Sequence, residues 1–233
     1  MVKKKKNLKY AARKLIAYTE PRSYVAEQFR TLRTNINFSS PDDKIQTIVI
    51  TSAAPSEGKS TTAANLAIVY AQEGKSVLLI DGDLRKPTMH HTFQTRNIMG
   101  LSSILSRQTS LKAAIKKTDV EGLDLLISGQ IPPNPAELLA SKSMDILIDQ
   151  LKSKYELIIF DSPPLLSVTD AQILAYKCDG AILVLNSRST EKQQAIKAIE
   201  MITLSKNKLI GVVLNNYIDS KKSDYNNYLE STS

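Results

Sequence analysis

Six short runs along the chain are almost continuously apolar: TIVITS (47–52), SVLLID (76–81), LDLLIS (123–128), ELIIFDS (156–162), AILVLN (181–186) and LIGVVLNN (209–216). Each has strand length, and the stretches between them change to helical spacing. SYVAEQFRTLRTNINF (23–38) places Val25, Phe29, Leu32 and Ile36 at helical intervals, which predicts an amphipathic helix. Further helices are predicted from Lys59 to about Gln72, across 136–155 as one long element, over 169–177 and over 190–205. Residues 87–117 are less regular, with short helical pieces in GLSSILS and SLKAAIKK, and residues 218–233 are polar and without periodicity. Strands apolar on both sides and separated by helices predict an α/β fold, a doubly wound and mostly parallel sheet covered on both faces.

The 233 residues suffice for one large domain with a well-buried core. The apolar runs fall far short of the roughly 20 residues a spanning helix needs. Met1 is followed by lysines and no apolar stretch, so no signal peptide is expected. The single Cys178 has no intrachain partner for a disulfide, which fits a reducing cytoplasm. Charge modifies the picture at one end only. Eight of the 31 basic residues and one of the 23 acidic residues fall within 1–22, a local charge of +7, leaving +1 for the remainder. Lys3, Lys4, Lys5, Lys6, Lys9, Arg13 and Lys14 supply most of it. A solvated arm and attraction to anionic lipid both fit such a segment. Nucleic-acid binding is not expected, because no basic or aromatic stripe continues beyond the arm. The expected division is a basic flexible arm over 1–22, a nucleotide-binding domain over 23–217 and a flexible tail over 218–233.

Between the first strand and the following helix stands TSAAPSEGKSTTAANLA (51–67). This is the phosphate-loop pattern G-x-x-x-x-G-K-[ST] with Ala53 in place of the first glycine. Ala53 is compatible with the loop if its φ stays negative, since only a positive φ would demand glycine. Free backbone N–H groups and the positive end of a helix dipole at such a junction face an anion. Ser56, Glu57, Gly58, Lys59, Ser60 and Thr61 are therefore the expected nucleotide-binding residues. Gly58 lets the backbone approach the phosphates, Lys59 reaches the β- and γ-phosphates, and the Ser60 hydroxyl ligates Mg²⁺.

Two strand ends add carboxylates. LLIDGDLRKP (78–87) carries Asp81 and Asp83, and LIIFDSPP (157–164) carries Asp161. In a parallel sheet such ends gather at the carboxyl edge beside the phosphate loop. Three acids there suit a Mg²⁺ ion that bridges phosphates. Asp170 in VTDAQ is expected to cap a helix.

AAPSEGKS, LLIDGDLRKP and IIFDSPP, together with SGQIPPNPAELLAS (128–141) and EQFRTLRTNI (27–36), resemble the bacterial tyrosine kinases (BY-kinases) of the capsular and exopolysaccharide type. The resemblance spans about Glu27 to Asn215. It implies a P-loop fold related to the Min/Par ATPases and ATP-dependent phosphorylation of protein tyrosines. It also implies autophosphorylation in trans and control of polysaccharide synthesis and export. Carried onto this sequence, Lys59 neutralises phosphate charge, Ser60 binds Mg²⁺ and Thr61 bonds the α-phosphate. Asp83 and Asp161 hold the metal, and Asp81 orients or deprotonates the tyrosine hydroxyl, with Asp81 and Asp83 open to exchange. Asn215 contacts adenine. Glu27, Arg30 and Arg33 join subunits into a homo-oligomeric ring. A membrane adaptor activates the kinase through a cytoplasmic segment and holds it at the inner face of the membrane. The departure lies in the tail, which offers only Tyr225 and Tyr228 as phosphoacceptors where the family has a dense cluster. The competing reading is a Min/Par-type ATPase switch. The absence of an additional lysine in SAAPSEG (52–58) and of an amphipathic basic helix after residue 217 weighs against it.

Overall fold

A computed structural model describes residues 15–39, 45–205 and 208–218. Its strands are β1 (Thr47–Ser52), β2 (Val77–Asp81), β3 (Lys116–Lys117), β4 (Leu123–Leu126), β5 (Leu157–Asp161), β6 (Gly180–Asn186) and β7 (Leu209–Asn215). The helices are α1 (Ile16–Thr19), α2 (Tyr24–Phe38), α3 (Lys59–Ala71), α4 (Met89–Thr92), α5 (Leu101–Leu105), α6 (Leu111–Ala114), α7 (Pro135–Ala140), α8 (Lys142–Lys152), α9 (Asp170–Lys177) and α10 (Lys192–Leu204). The strands form one seven-stranded sheet in the order β3-β4-β2-β5-β1-β6-β7. All pairings are parallel except β3 with β4.

Alternation along each strand explains the continuous apolar runs. Val49, Leu78, Ile80, Ile158 and Phe160 enter one core, which the helices α7 to α10 cover. Their neighbours Ile48, Ile50, Val77, Leu79 and Ile159 enter a second core with α3. Each fully buried Ile, Leu or Phe contributes roughly 1.5–3 kcal/mol, so both faces are strongly specified. Helix α3, with Leu66, Ile68 and Val69 fully buried, is enclosed on all sides. That enclosure fixes the helix whose first turn follows the phosphate loop.

Several elements differ from the sequence reading. The long helix expected over 136–155 is two, because Ser141 is extended (φ −66°, ψ 155°) and its hydroxyl bonds back to the Leu138 carbonyl. SLKAAIKK stops being helical at Ile115 (ψ 135°), and Lys116–Lys117 pair antiparallel with Leu125 and Asp124. Strand β4 ends before Ile127 and Ser128, whose carbonyls instead accept from Leu101 and Ser102 at the start of α5. In α2, Ile36 is buried, while Val25 is 40% exposed and outside the packed stripe. Within the span expected as a free basic arm, residues from Leu15 onward lie on the domain. Ala17 is fully buried, its N–H donates to Asn65 Oδ1 (2.9 Å), and its carbonyl accepts from Gln72 Nε2 (2.9 Å). The basic residues 3–14 and the tail tyrosines Tyr225 and Tyr228 lie outside the described residues.

Candidate active site

Strand β1 is an interior strand, with β5 on one side and β6 on the other, so the loop after it opens at the carboxyl edge between them. Positive φ falls at Ser56 (66°) and Gly58 (99°), not at Ala53. The Ala53 side chain is fully buried in the core formed with α7 to α10. The loop thus forms without the first glycine, and the methyl group adds packing. Gly58 is the position that needs glycine. A Cβ there would stand 2.1 Å from Asn215 Nδ2. That amide donates to the Glu57 carbonyl at 2.9 Å. Glu57 itself is buried. Its Oε2 accepts the Ala54 N–H at 2.8 Å, and its Oε1 accepts the Thr190 hydroxyl. Two distant segments, the end of β7 and the residues before α10, therefore brace the loop from behind.

Helix α3 begins at Lys59 with Gly58 at its N-cap. Lys59, Ser60 and Thr61 occupy its first turn, where backbone N–H groups have no partner within the helix. The Lys59 ammonium donates to Ser60 Oγ at 3.1 Å and lies 3.6 Å from Asp161 Oδ1 and 3.8 Å from Asp83 Oδ2. Register brings the acids together, since Asp81 and Asp161 are direct partners across β2 and β5. The structure thus gathers Lys59, Ser60, Asp81, Asp83 and Asp161 around one point of the sheet edge. Among the described residues, no three His, Cys, Asp or Glu side chains close on a common metal position.

The two aspartates of LLIDGDLRKP differ in setting. Asp81 is fully buried, with Oδ1 accepting from Asp83 N–H (3.3 Å) and Oδ2 from Thr88 and Met89 N–H (3.0 and 2.9 Å). Burial, and after it the neighbouring Asp161 and Asp83 carboxylates, push its pKa up to about 7, against the Met89 N–H and Lys59. Asp83 is 5% exposed and lines a cavity of about 810 Å³. Its Oδ1 accepts from Arg85 and Lys86 N–H (3.2 and 2.9 Å), folding the residues after β2 into a tight loop. Lys59, Ile131, Pro163 and Pro164 also line the cavity.

Some contacts that hold the loops of the site escaped the sequence reading. Asp170 does not cap α9; Thr169 holds that position. Asp170 is fully buried and receives Arg85 Nε and Nη2, each at 2.9 Å, clamping the loop after β2 onto α9. The Glu57–Thr190 and Asn97–Gly129 contacts were also unforeseen. Asn97 receives the Gly129 N–H (2.9 Å) and donates to its carbonyl (2.7 Å), which fixes the loop after β4. On α2, Arg30 pairs with Glu27 at 2.8 Å, and Arg33 donates to the Val69 carbonyl at 2.7 Å. Asn215 sits against the loop at Gly58.

Residues 45–212 match a family model described as an AAA domain. The chain is 52% identical over 216 residues to the tyrosine-protein kinase YwqD of Bacillus subtilis, across 93% of this chain and 91% of that one. It belongs to the bacterial tyrosine kinases. The kinase domain of Escherichia coli tyrosine kinase ETK superposes with a TM-score of 0.85 at 30% identity, covering 94% of this chain and 86% of that one. A chimerical protein, CapA2B2, gives a TM-score of 0.86 at 45% identity over 88% and 90% of the two chains. The septum site-determining protein MinD of Pyrococcus horikoshii, solved with Mg-ADP, shares the fold at a TM-score of 0.65 and 26% identity over 76% and 72%. The chain is thus a protein-tyrosine kinase on a P-loop fold, and the Min/Par-type switch is not favoured. No helix among the described residues is long and apolar enough to cross a membrane.

Proposed function

We propose that this kinase transfers the γ-phosphoryl group of ATP to tail tyrosines Tyr225 and Tyr228 of a neighbouring copy, in the service of polysaccharide synthesis and export. The single observation that carries the site assignment is the Lys59 ammonium lying within 4 Å of both Asp83 and Asp161 at the start of α3. Phosphoryl transfer needs positioning and charge neutralisation more than covalent help from the protein. A cation and a helix N-terminus provide both, and two carboxylates beside them can hold a divalent ion.

Lys59 and the first-turn N–H groups of Ser60 and Thr61 would neutralise the triphosphate, with Ser56, Glu57 and Gly58 shaping its cradle. Asn215 Nδ2 is engaged by the Glu57 carbonyl, with Oδ1 as the acceptor offered to the adenine amine. The donor set suits magnesium, since the Ser60 hydroxyl and the Asp83 and Asp161 carboxylates are hard oxygen ligands. These residues would hold the ion, which supplies charge neutralisation at the phosphates. Asp81, raised to about 7, is poised to accept the tyrosine proton near neutral pH. Asp83 is the second candidate, because it opens onto the cavity while Asp81 is fully buried. Glu27, Arg30 and Arg33 would join subunits into a ring, and a membrane adaptor would hold the kinase at the inner face of the membrane. The wider division into a basic arm, a domain over 23–217 and a substrate tail belongs to the same proposal.

The test is to incubate the full chain with Mg·ATP, with and without an adaptor's cytoplasmic peptide, and map phosphate by mass spectrometry. Phosphate is expected on Tyr225 and Tyr228, lost in Lys59→Met. Mixing Lys59→Met with a Tyr225→Phe/Tyr228→Phe chain is expected to restore it on the former. Release of inorganic phosphate without any modified tyrosine would overturn the assignment.

A further inference from the structure

The sheet order divides the site at β1. Asn215 and Thr190 belong to the β6–β7 side, whereas the 810 Å³ cavity lies towards β5, β2 and β4. A cavity of that size falls in the range of about 300–1,000 Å³ typical of ligand clefts. Its walls beyond Lys59 include Pro87, Ile131, Pro163 and Pro164, flat apolar surfaces suited to a phenol ring. Two cations line its rim, Arg85 and Lys86. Arg85 is engaged by the buried Asp170 carboxylate. Lys86 is exposed, and among the described residues it forms no ion pair. Its backbone N–H is fixed on Asp83 at 2.9 Å, so the root of this side chain is held beside the cavity floor. Burial, and after it the neighbouring His91 and Lys116, lower the pKa of His90, which also lies on the lining.

We propose that Lys86 selects the phosphoacceptor by reading carboxylates next to the tyrosine, and that the occupant is the Asp224–Tyr225 stretch of a second copy. The inference rests on the phosphotransfer reading of the same site and adds a sequence preference to it. From Asp224 to Ser233 the chain carries Asp224 and Glu230 beside Tyr225 and Tyr228, and no lysine or arginine. Lys221 and Lys222 precede that stretch. Opposite charge across such a contact favours encounter and register, and like charge opposes it.

The experiment pairs two full-length forms of the chain. The donor carries Tyr225→Phe/Tyr228→Phe, with Lys86, Lys86→Gln or Lys86→Glu; the acceptor carries Lys59→Met, with the natural tail or with Asp224→Lys/Glu230→Lys. Phosphotyrosine on the acceptor is followed at low acceptor concentration with Mg·ATP. The Lys86 donor is expected to favour the natural tail by about tenfold, a charge effect that shrinks in high salt. Lys86→Gln is expected to remove the preference and Lys86→Glu to invert it, each in variants whose melting curves match the parent. Equal rates on both tails with the Lys86 donor overturn the selectivity while leaving phosphotransfer intact. A tenfold preference retained in Lys86→Gln and Lys86→Glu overturns the assignment to Lys86. No phosphotyrosine in any pairing overturns both this inference and the reading beneath it.

Discussion

Gly58→Ala tests whether β7 braces the phosphate loop. Two costs follow from the geometry. An alanine at φ +99° leaves the allowed regions for L-residues, at roughly 1–2 kcal/mol. Its Cβ would also stand 2.1 Å from Asn215 Nδ2 and 3.0 Å from Cγ, so the Asn215 side chain must swing away. Doing so breaks the 2.9 Å bond to the Glu57 carbonyl, at about 1 kcal/mol. The variant is expected to lose roughly 2–3 kcal/mol, a fall in Tm of about 4–12 °C for a domain of this size. Asn215→Ala alone forfeits only the hydrogen bond, about 1 kcal/mol. Asn215 Cβ is 3.7 Å from the added methyl, an ordinary contact, so truncation there relieves the clash. In the double variant the hydrogen bond is lost once and the backbone cost remains. Its penalty should therefore fall about 1 kcal/mol short of the sum, beyond the ~0.3–0.5 kcal/mol scatter of independent sites. Urea denaturation of the four ligand-free proteins measures the cycle. Additive penalties would show that the side chain at the end of β7 and the loop do not press on each other.

The remaining predictions concern the loop after β2 and the first helix. Because the Asp170 carboxylate is fully buried while Arg85 is 41% exposed, removing the arginine is the harsher change. Arg85→Ala strands a buried charge and is expected to cost about 3 kcal/mol, against roughly 1–2 kcal/mol for Asp170→Asn, as read by thermal melts. Asp81 titrates at 3.8 when unfolded and near 7 when folded, so the native state holds the extra proton between those values. The stability of the ligand-free protein should therefore fall as pH rises from about 4 to about 7 and level off above. Asp81→Asn should flatten that slope in melts from pH 5 to 8. Ala17→Asp places a charge in a fully buried site, so residues around α1 should become sensitive to limited proteolysis while the sheet remains folded.

What the sequence made legible is local. The strands were readable because alternate residues of each enter different cores, which leaves an unbroken apolar run. The phosphate loop was readable because its chemistry lies within a few consecutive residues. Asp81, Asp83 and Asp161 were readable because strand ends of a parallel sheet share an edge. Contacts between distant residues were not. Arg85 and Asp170 are 85 positions apart, and an aspartate at a helix start looks like a cap until the fold supplies its partner. Lys116–Lys117 carried no apolar alternation, and their strand exists only because β4 offers an edge. Ala17 gave no signal, since the Asn65 that holds it lies 48 residues on.

Asn65 also shows why α1 matters to the site. Its Oδ1 receives the Ala17 N–H, and its Nδ2 donates to the Thr61 carbonyl at 2.9 Å. One buried amide therefore joins the segment before α2 to the first turn of α3, where the triphosphate would lie. The other supports of the loop enter from different parts of the chain: the Glu57 carboxylate through Thr190, the Glu57 carbonyl through Asn215, and the loop after β2 through Asp170. Each joins residues remote in sequence, so the loop's shape depends on the completed fold. That dependence accounts for an alanine where the usual loop has glycine. The brace at Gly58 and the packing of Ala53 hold the turn in place, and no positive φ is required at residue 53.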